Sequence, residues 1–224
     1  MNKSDKILFI NALVFPFLFT VIMWGVKLIE IQFNLQNIIR EFGVSPRDLS
    51  GVKGILFAPF IHKDVLHLSN NSLPILILGW FLFFSYKKIA KEIFLWLFFV
   101  SGFWLWVIGR PSLHIGASGV IYSLASFLFI SGIIRKNPRL TSISLIVVFL
   151  YGSMIWGVLP TKPTVSWEGH LSGMVSGIIV AIFFKNDGPP RKKYQWEIDE
   201  ENENIIESQK PEPTITYTIK KEDK

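Results

Sequence analysis

Two residues in this sequence form a pair able to attack a carbonyl carbon. Ser118 stands in Gly116-Ala117-Ser118-Gly119, at the head of the apolar run Val120–Ile134. His170 stands in Glu168-Gly169-His170-Leu171-Ser172-Gly173, at the head of another. A serine hydroxyl is a weak nucleophile until a base takes its proton, and histidine is the usual base at neutral pH. The tetrahedral product carries an oxyanion, which needs preorganised donors. The first N–H groups of a helix lack intrahelical acceptors, so a serine at a helix start carries one donor in its own amide. His67 and Asn71, four residues apart on one face of a third apolar run, offer side-chain donors. Each motif alone also has a plain structural reading. G-x-S-G fits a serine cap between packing glycines, and His67 with Asn71 fits an interhelical hydrogen-bond pair. A serine and a histidine at two helix starts together favour acyl transfer.

The remaining residue inventory removes rival chemistries. Cysteine is absent, which excludes disulfides, thiolate metal sites and a cysteine nucleophile. Between Gly51 and Asn186 the acids are Asp64, Glu92 and Glu168, none of them in the middle of an apolar run. A pair of intramembrane aspartates is therefore excluded, and H-E-x-x-H does not occur. The histidines at 62, 67, 114 and 170 have no acid or thiol to join them around an ion, so neither metal nor cofactor is expected. Glu168, two residues before His170, points elsewhere on a helix. A Ser118–His170 dyad without a carboxylate is the economical reading.

The elements that position these residues are membrane helices. Half of the 224 residues are hydrophobic and the mean hydropathy is +0.40. Six apolar runs approach the ~20 residues that cross a bilayer. They are Ile7–Val26, Val65–Tyr86, Ile93–Gly109, Ile115–Ile134, Leu140–Pro160 and Gly169–Phe184, the last anchored by Trp167 and Lys185. The first run exceeds the apolar region of a signal peptide and has no small-residue cleavage site. The net charge of +6 does not mark a nucleic-acid face, because its basic residues cluster between apolar runs. Lys3 and Lys6, then Lys87, Lys88 and Lys91, then Arg135, Lys136 and Arg139, then Lys185 and Arg191–Lys193 occupy alternate connections. Arg110 and Lys162 are the basic residues of the two short opposite loops. The positive-inside rule then places both termini in the cytoplasm. Trp24, Trp104, Trp106, Trp156 and Trp167 fall near the outer ends, as an aromatic belt.

The long first loop, Lys27–Asp64, carries Ile31, Leu35, Ile38, Ile39 and Phe42 at helical spacing. This predicts an interfacial amphipathic helix, followed by Ile55–Ile61 dipping into the membrane. Tyr122 lies one turn after Ser118 on the same face. Gly173 and Gly177 form a G-x-x-x-G pair on the stripe of His170, so another helix is expected to press close there. The fifth run, with Tyr151, Gly152 and Ser153, reads as packing. From Asn186 the chain turns polar, with Pro189, Pro190, a basic cluster and the acidic run Glu197–Glu203. The expected organisation is a membrane domain over 1–185 and a disordered cytoplasmic tail over 186–224.

These motifs, in this order, resemble the bacterial rhomboid-family intramembrane serine proteases. The resemblance rests on His62 with His67-Leu68-Ser69-Asn70-Asn71, on Gly116-Ala117-Ser118-Gly119, and on Gly169-His170-Leu171-Ser172-Gly173, and runs from the first apolar run to residue 185. It implies an all-α membrane protein: a six-transmembrane-helix bundle with a long membrane-embedded first loop, in the cell (inner) membrane. It implies Ser118 as nucleophile, His170 as base, and an oxyanion hole from the Ser118 amide, His67 and Asn71. It further implies that Gly116 keeps the turn open, that Tyr122 packs on the His170 ring, and that Gly173 and Gly177 bring the fourth and sixth helices together. The implied partners are single-pass transmembrane substrates, cleaved near the outer face, and the lipid bilayer. One feature departs from the family pattern. The first loop lacks the usual Trp-Arg pair, and Gly51-Val52-Lys53-Gly54-Ile55 stands near that position. His62 and His114 are expected to be structural donors, with His62 helping to hold the site. A catalytically silent relative that binds membrane proteins is the alternative reading, although such relatives usually lose the serine or histidine. A small transporter would show inverted repeats and intramembrane charges, which this sequence lacks.

Overall fold

A computed structural model describes residues 3–161, 163–189 and 193–208. Lys162, residues 190–192 and residues 209–224, assigned above to an outer loop and the tail, lie outside the described residues. The helices are α1 (Lys3–Gln32), α2 (Gln36–Arg40), α3 (Gly54–Phe57), α4 (Val65–Ser85), α5 (Ala90–Ile108), α6 (Ser118–Ile134), α7 (Pro138–Tyr151), α8 (Trp167–Phe183) and α9 (Gln195–Ser208). Short 3-10 turns cover Leu49–Gly51, Ala58–Phe60 and Gly152–Val158. Among the described residues there is no strand, only an isolated bridge between Val44 and His114.

Among the described residues, four helices are long and apolar enough to cross a bilayer: Lys6–Gln32, Val65–Ser85, Ala90–Ile108, and α7 with its 3-10 extension over Pro138–Val158. Helices α6 and α8 are shorter, with 17 residues each. At ~1.5 Å per residue they are ~26 Å long. They are also the most enclosed: α8 packs chiefly on α6 and next on α5, while α6 also touches α4 and α7. Leu68, Leu78, Leu97, Val120, Leu124 and Phe127 form the centre of the core. Lipid tails are as apolar as leucine, so helix association here rests on close fit. Accordingly the α6–α8 seam is made of small residues, with Ser123, Ser172 and Ser176 buried beside Gly173 and Gly177. Helices α1, α5 and α7 turn Ile10, Phe17, Phe99, Leu145 and Phe149 outward, surfaces suited to lipid.

Local signals explain where the helices start. Asp64 caps α4 by accepting from the His67 amide at 2.7 Å, and Asn137 followed by Pro138 opens α7. Ser166 caps α8 by accepting from the Gly169 amide at 3.2 Å. The chain ends of α4, α6 and α8 meet at one end of the bundle. There Tyr86 Oη lies 2.6 Å from Ser131 Oγ, and Arg135 lies over the Tyr86 ring while donating to the Phe184 and Asp187 carbonyls.

Two expectations need correction. Helix α1 does not end at Val26 but continues to Gln32, because its polar residues find partners in the protein. Lys27 Nζ donates to Glu30 Oε1 at 2.9 Å, and to the carbonyls of His62 at 2.9 Å and Lys63 at 3.3 Å. The predicted amphipathic helix is interrupted: Asn34 adopts φ 53°, and only the five residues of α2 follow. Ile55–Ile61 forms α3 and a 3-10 turn, with α3 seated on α5 and with Ala58, Pro59 and Ile61 buried. The described residues from 191 onward form a separate unit, in which 195–208 are helical and nearly all exposed and Lys193 pairs with Glu201 at 2.5 Å.

Candidate active site

Ala117 is the N-cap of α6, so Ser118 is the first helical residue and its hydroxyl does not cap the helix. Instead Ser118 Oγ lies 3.0 Å from His170 Nε2. The other ring nitrogen, Nδ1, lies 2.8 Å from the carbonyl oxygen of Gly157. A carbonyl can only accept, so Nδ1 carries the proton and Nε2 presents its lone pair to the serine O–H. This tautomer suits a general base. Tyr122 stacks flat on the imidazole, with centroids 4.2 Å apart and an interplanar angle of 9°. Its hydroxyl donates to the Met154 carbonyl at 2.7 Å, which fixes the ring. Glu168 is buried with Oε1 3.5 Å from Arg110 Nη1, so the nearest carboxylate in sequence is engaged elsewhere.

Position 116 demands glycine twice over. Its φ is +107°, and a Cβ there would meet His67 Cε1 at 2.7 Å. The tight turn, fastened by Gly116 N–H donating to the Ala58 carbonyl at 2.9 Å, therefore lets the His67 ring sit against the backbone before Ser118. Asn71 Nδ2 donates to the His67 carbonyl at 2.8 Å, within its own helix, leaving a second N–H. His67, Asn71, Ser118, Tyr122 and His170 all line one cavity of about 820 Å³. Below it the G-x-x-x-G pair meets α6: Cβ atoms at Gly173 and Gly177 would fall 2.1 Å from the Gly119 carbonyl and 2.3 Å from the Ser123 carbonyl.

Sequence reasoning missed the backbone members of this site. The fifth apolar run reads as packing in the sequence, yet its 3-10 extension supplies the carbonyls of Met154 and Gly157 that orient Tyr122 and His170. No side-chain type announces them. A clue lay in Gly157 itself, where a Cβ would strike the Tyr122 hydroxyl. The missing Trp-Arg pair also has a counterpart. Arg47 Nη1 donates to the carbonyls of Val107 and Gly109 at 3.2 and 2.8 Å, and Trp106 Nε1 donates to the Asp48 carbonyl at 2.9 Å. The first loop is thereby fastened to the end of α5.

His62 is an acceptor at Nε2 and not a donor there: the Ala117 amide donates to it at 3.4 Å. Burial first and the neighbouring His67 ring next push its pKa down to about 3, against an opposing effect of the Phe60 carbonyl, with Lys27 (lowering) and Asp64 (raising) contributing less. Burial likewise lowers His114. Both groups have folded values below their unfolded value of ~6.5, so between those values the unfolded chain binds more protons. Stability is fully present above pH ~6.5 and is lost as pH falls toward 3. For His62 the slope approaches about 1.4 kcal/mol per pH unit. The detergent-solubilised protein should melt at progressively lower temperature from pH 7 to pH 4.5, and His62→Gln should flatten part of that slope. A melting temperature independent of pH across this range would refute the assignment.

A family model described as Rhomboid domain matches residues 50–186. Among curated proteins, uncharacterized proteins of Mycobacterium bovis and Mycobacterium tuberculosis are each 34% identical over 163 residues, covering 67% of this chain and 65% of theirs. One from Mycobacterium leprae is 34% identical over 151 residues, covering 62% of this chain and 58% of its own. The chain thus spans about 65% of the length of the first of these relatives.

Proposed function

Since this chain belongs to the rhomboid family, we propose that it is an intramembrane serine endopeptidase working through a Ser118–His170 dyad. The observation that carries this reading is the 3.0 Å Ser118–His170 contact, with the base held in the accepting tautomer by the Gly157 carbonyl.

The chemistry runs in two halves. Ser118 Oγ attacks the scissile carbonyl carbon while its proton passes to His170 Nε2. The oxyanion that forms is met by the Ser118 N–H, which has no intrahelical acceptor, and by ring and amide N–H groups of His67 and Asn71. Collapse breaks the C–N bond, and His170 returns its proton to the departing amine. A water molecule then gives a proton to Nε2 as its oxygen attacks the acyl-serine ester; the ester bond to Oγ breaks and Nε2 returns that proton to Ser118 Oγ, which restores the serine. Tyr122 serves as the platform of the base and Gly116 as the opening for His67. No metal or cofactor enters this scheme.

The substrates we propose are single-pass transmembrane proteins. In this reading α6 and α8 also cross the membrane, making six spans, and their shortness leaves both dyad residues at the floor of a cavity facing the outer side. The chain is a multi-pass membrane protein; the basic end of the bundle is assigned to the cytoplasm, together with both termini, and the membrane to the cell (inner) membrane. Reconstituted with a single-pass reporter in proteoliposomes, the full chain should yield two fragments cut near the outer face. A reporter that stays intact yet co-purifies with the protein would favour the silent binding module instead.

A further inference from the structure

His114 and Ser166 occupy matching places: each lies four residues before a member of the dyad, His114 before Ser118 and Ser166 before His170. Their side chains meet. His114 Nδ1 lies 2.6 Å from Ser166 Oγ. The opposite ring nitrogen, Nε2, lies 3.1 Å from the Arg110 carbonyl and 3.2 Å from Ser112 Oγ. Because the Arg110 carbonyl can only accept, the proton is on Nε2 and Nδ1 is the acceptor. The Ser166 hydroxyl must then donate to His114, while its oxygen accepts the Gly169 amide as the cap of α8. One hydroxyl thus joins the start of α8 to the chain entering α6.

The surroundings hold this joint at both sides. His114 is buried, and its backbone exchanges two hydrogen bonds of 2.9 Å with Val44. Arg110 donates to the carbonyls of Pro163 and Val165 at 2.8 and 2.9 Å and lies beside Glu168, so a second link crosses the same gap. Helices α6 and α8 are otherwise in contact through a seam of glycines and serines, which permits sliding as readily as it permits approach. A directional bond at their starts fixes what that seam leaves free.

We propose that His114 and Ser166 are positioning residues that set the Ser118–His170 geometry by tying together the starts of the two helices. This rests on the protease reading above. A displacement of ~1 Å at a reacting centre can cost ~10²-fold in rate. Loss of the tie should therefore lower kcat by about 10-fold or more and leave KM within about twofold. Ser166→Gly keeps a tolerated cap but removes the hydroxyl, and His114→Phe keeps the cap hydroxyl but removes its acceptor. Ser166→Thr keeps both functions and should retain wild-type kcat. Since the two residues act as one joint, the double variant should be no slower than the slower single one.

The test measures kcat and KM on the transmembrane reporter for the full chain and these four variants, together with the 15N signals of the His170 ring. Lowered kcat in both single variants, rescue by threonine and no further loss in the double variant support the tie. Wild-type kcat in either single variant, or losses that multiply, overturn it. The His170 ring signals should move in both single variants, and unmoved signals overturn the tie whatever the activity. If they move while the wild-type chain cleaves nothing, the tie stands and the protease reading falls.

Discussion

Ser118→Ala is expected to remove cleavage of a transmembrane reporter, by about 10⁴-fold or more, without unfolding the protein. The substitution deletes one atom. Ser118 is the first residue of α6, its hydroxyl does not cap the helix, and its polar side-chain contact is with His170 Nε2. Alanine is well suited to that backbone position. Stability should accordingly stay within the range of ordinary surface substitutions, while the nucleophile is lost outright. His170→Ala should be as inactive as Ser118→Ala, and the double variant no worse than either, because residues that act as a unit are non-additive. Reporter cleavage and melting temperature of the three variants check this. Wild-type cleavage by Ser118→Ala would remove the nucleophile assignment.

The second large effect is expected far from any reacting atom. In Gly173→Ala the new methyl group would start 2.1 Å from the carbonyl oxygen of Gly119, against an ordinary contact of 3.4 Å or more. That oxygen belongs to backbone and cannot swing aside, so α6 and α8 must part by about 1 Å. Gly119 follows Ser118 directly, and Gly173 is three residues after His170. The displacement therefore reaches the 3.0 Å dyad contact, with an expected loss of about 10²-fold in kcat. Overpacking at the seam should also cost about 1–3 kcal/mol of stability. Both quantities are measurable on the purified variant, by steady-state cleavage and by thermal melting. Unchanged kcat would mean that the spacing of the two helices does not set the dyad.

Much of this architecture is legible in the sequence because a bilayer imposes long apolar runs, and because Ser118, His170 and the G-x-x-x-G pair have side-chain identities that mark them as candidates for the roles proposed above. What escaped has physical reasons. Lys27 and Glu30 look like the end of a span by hydropathy, but they are buried and paired with each other, and Lys27 also donates to the carbonyls of His62 and Lys63, so α1 continues past them. The periodicity from Ile31 to Phe42 is helical, yet one residue, Asn34, in the left-handed region interrupts it. The partners that orient His170 and Tyr122 are main-chain carbonyls, and every residue has one. The tie between His114 and Ser166 spans 52 positions of sequence and becomes visible only when α8 is laid against α6.

The measurement closest to the central claim needs no substrate. A fluorophosphonate reacts covalently with a serine hydroxyl only when a base and an oxyanion site activate it. The detergent-purified full chain should be labelled by such a probe, and Ser118→Ala and His170→Ala should not. A well-folded wild-type protein that takes up no label, or a Ser118→Ala variant that still does, would contradict the account.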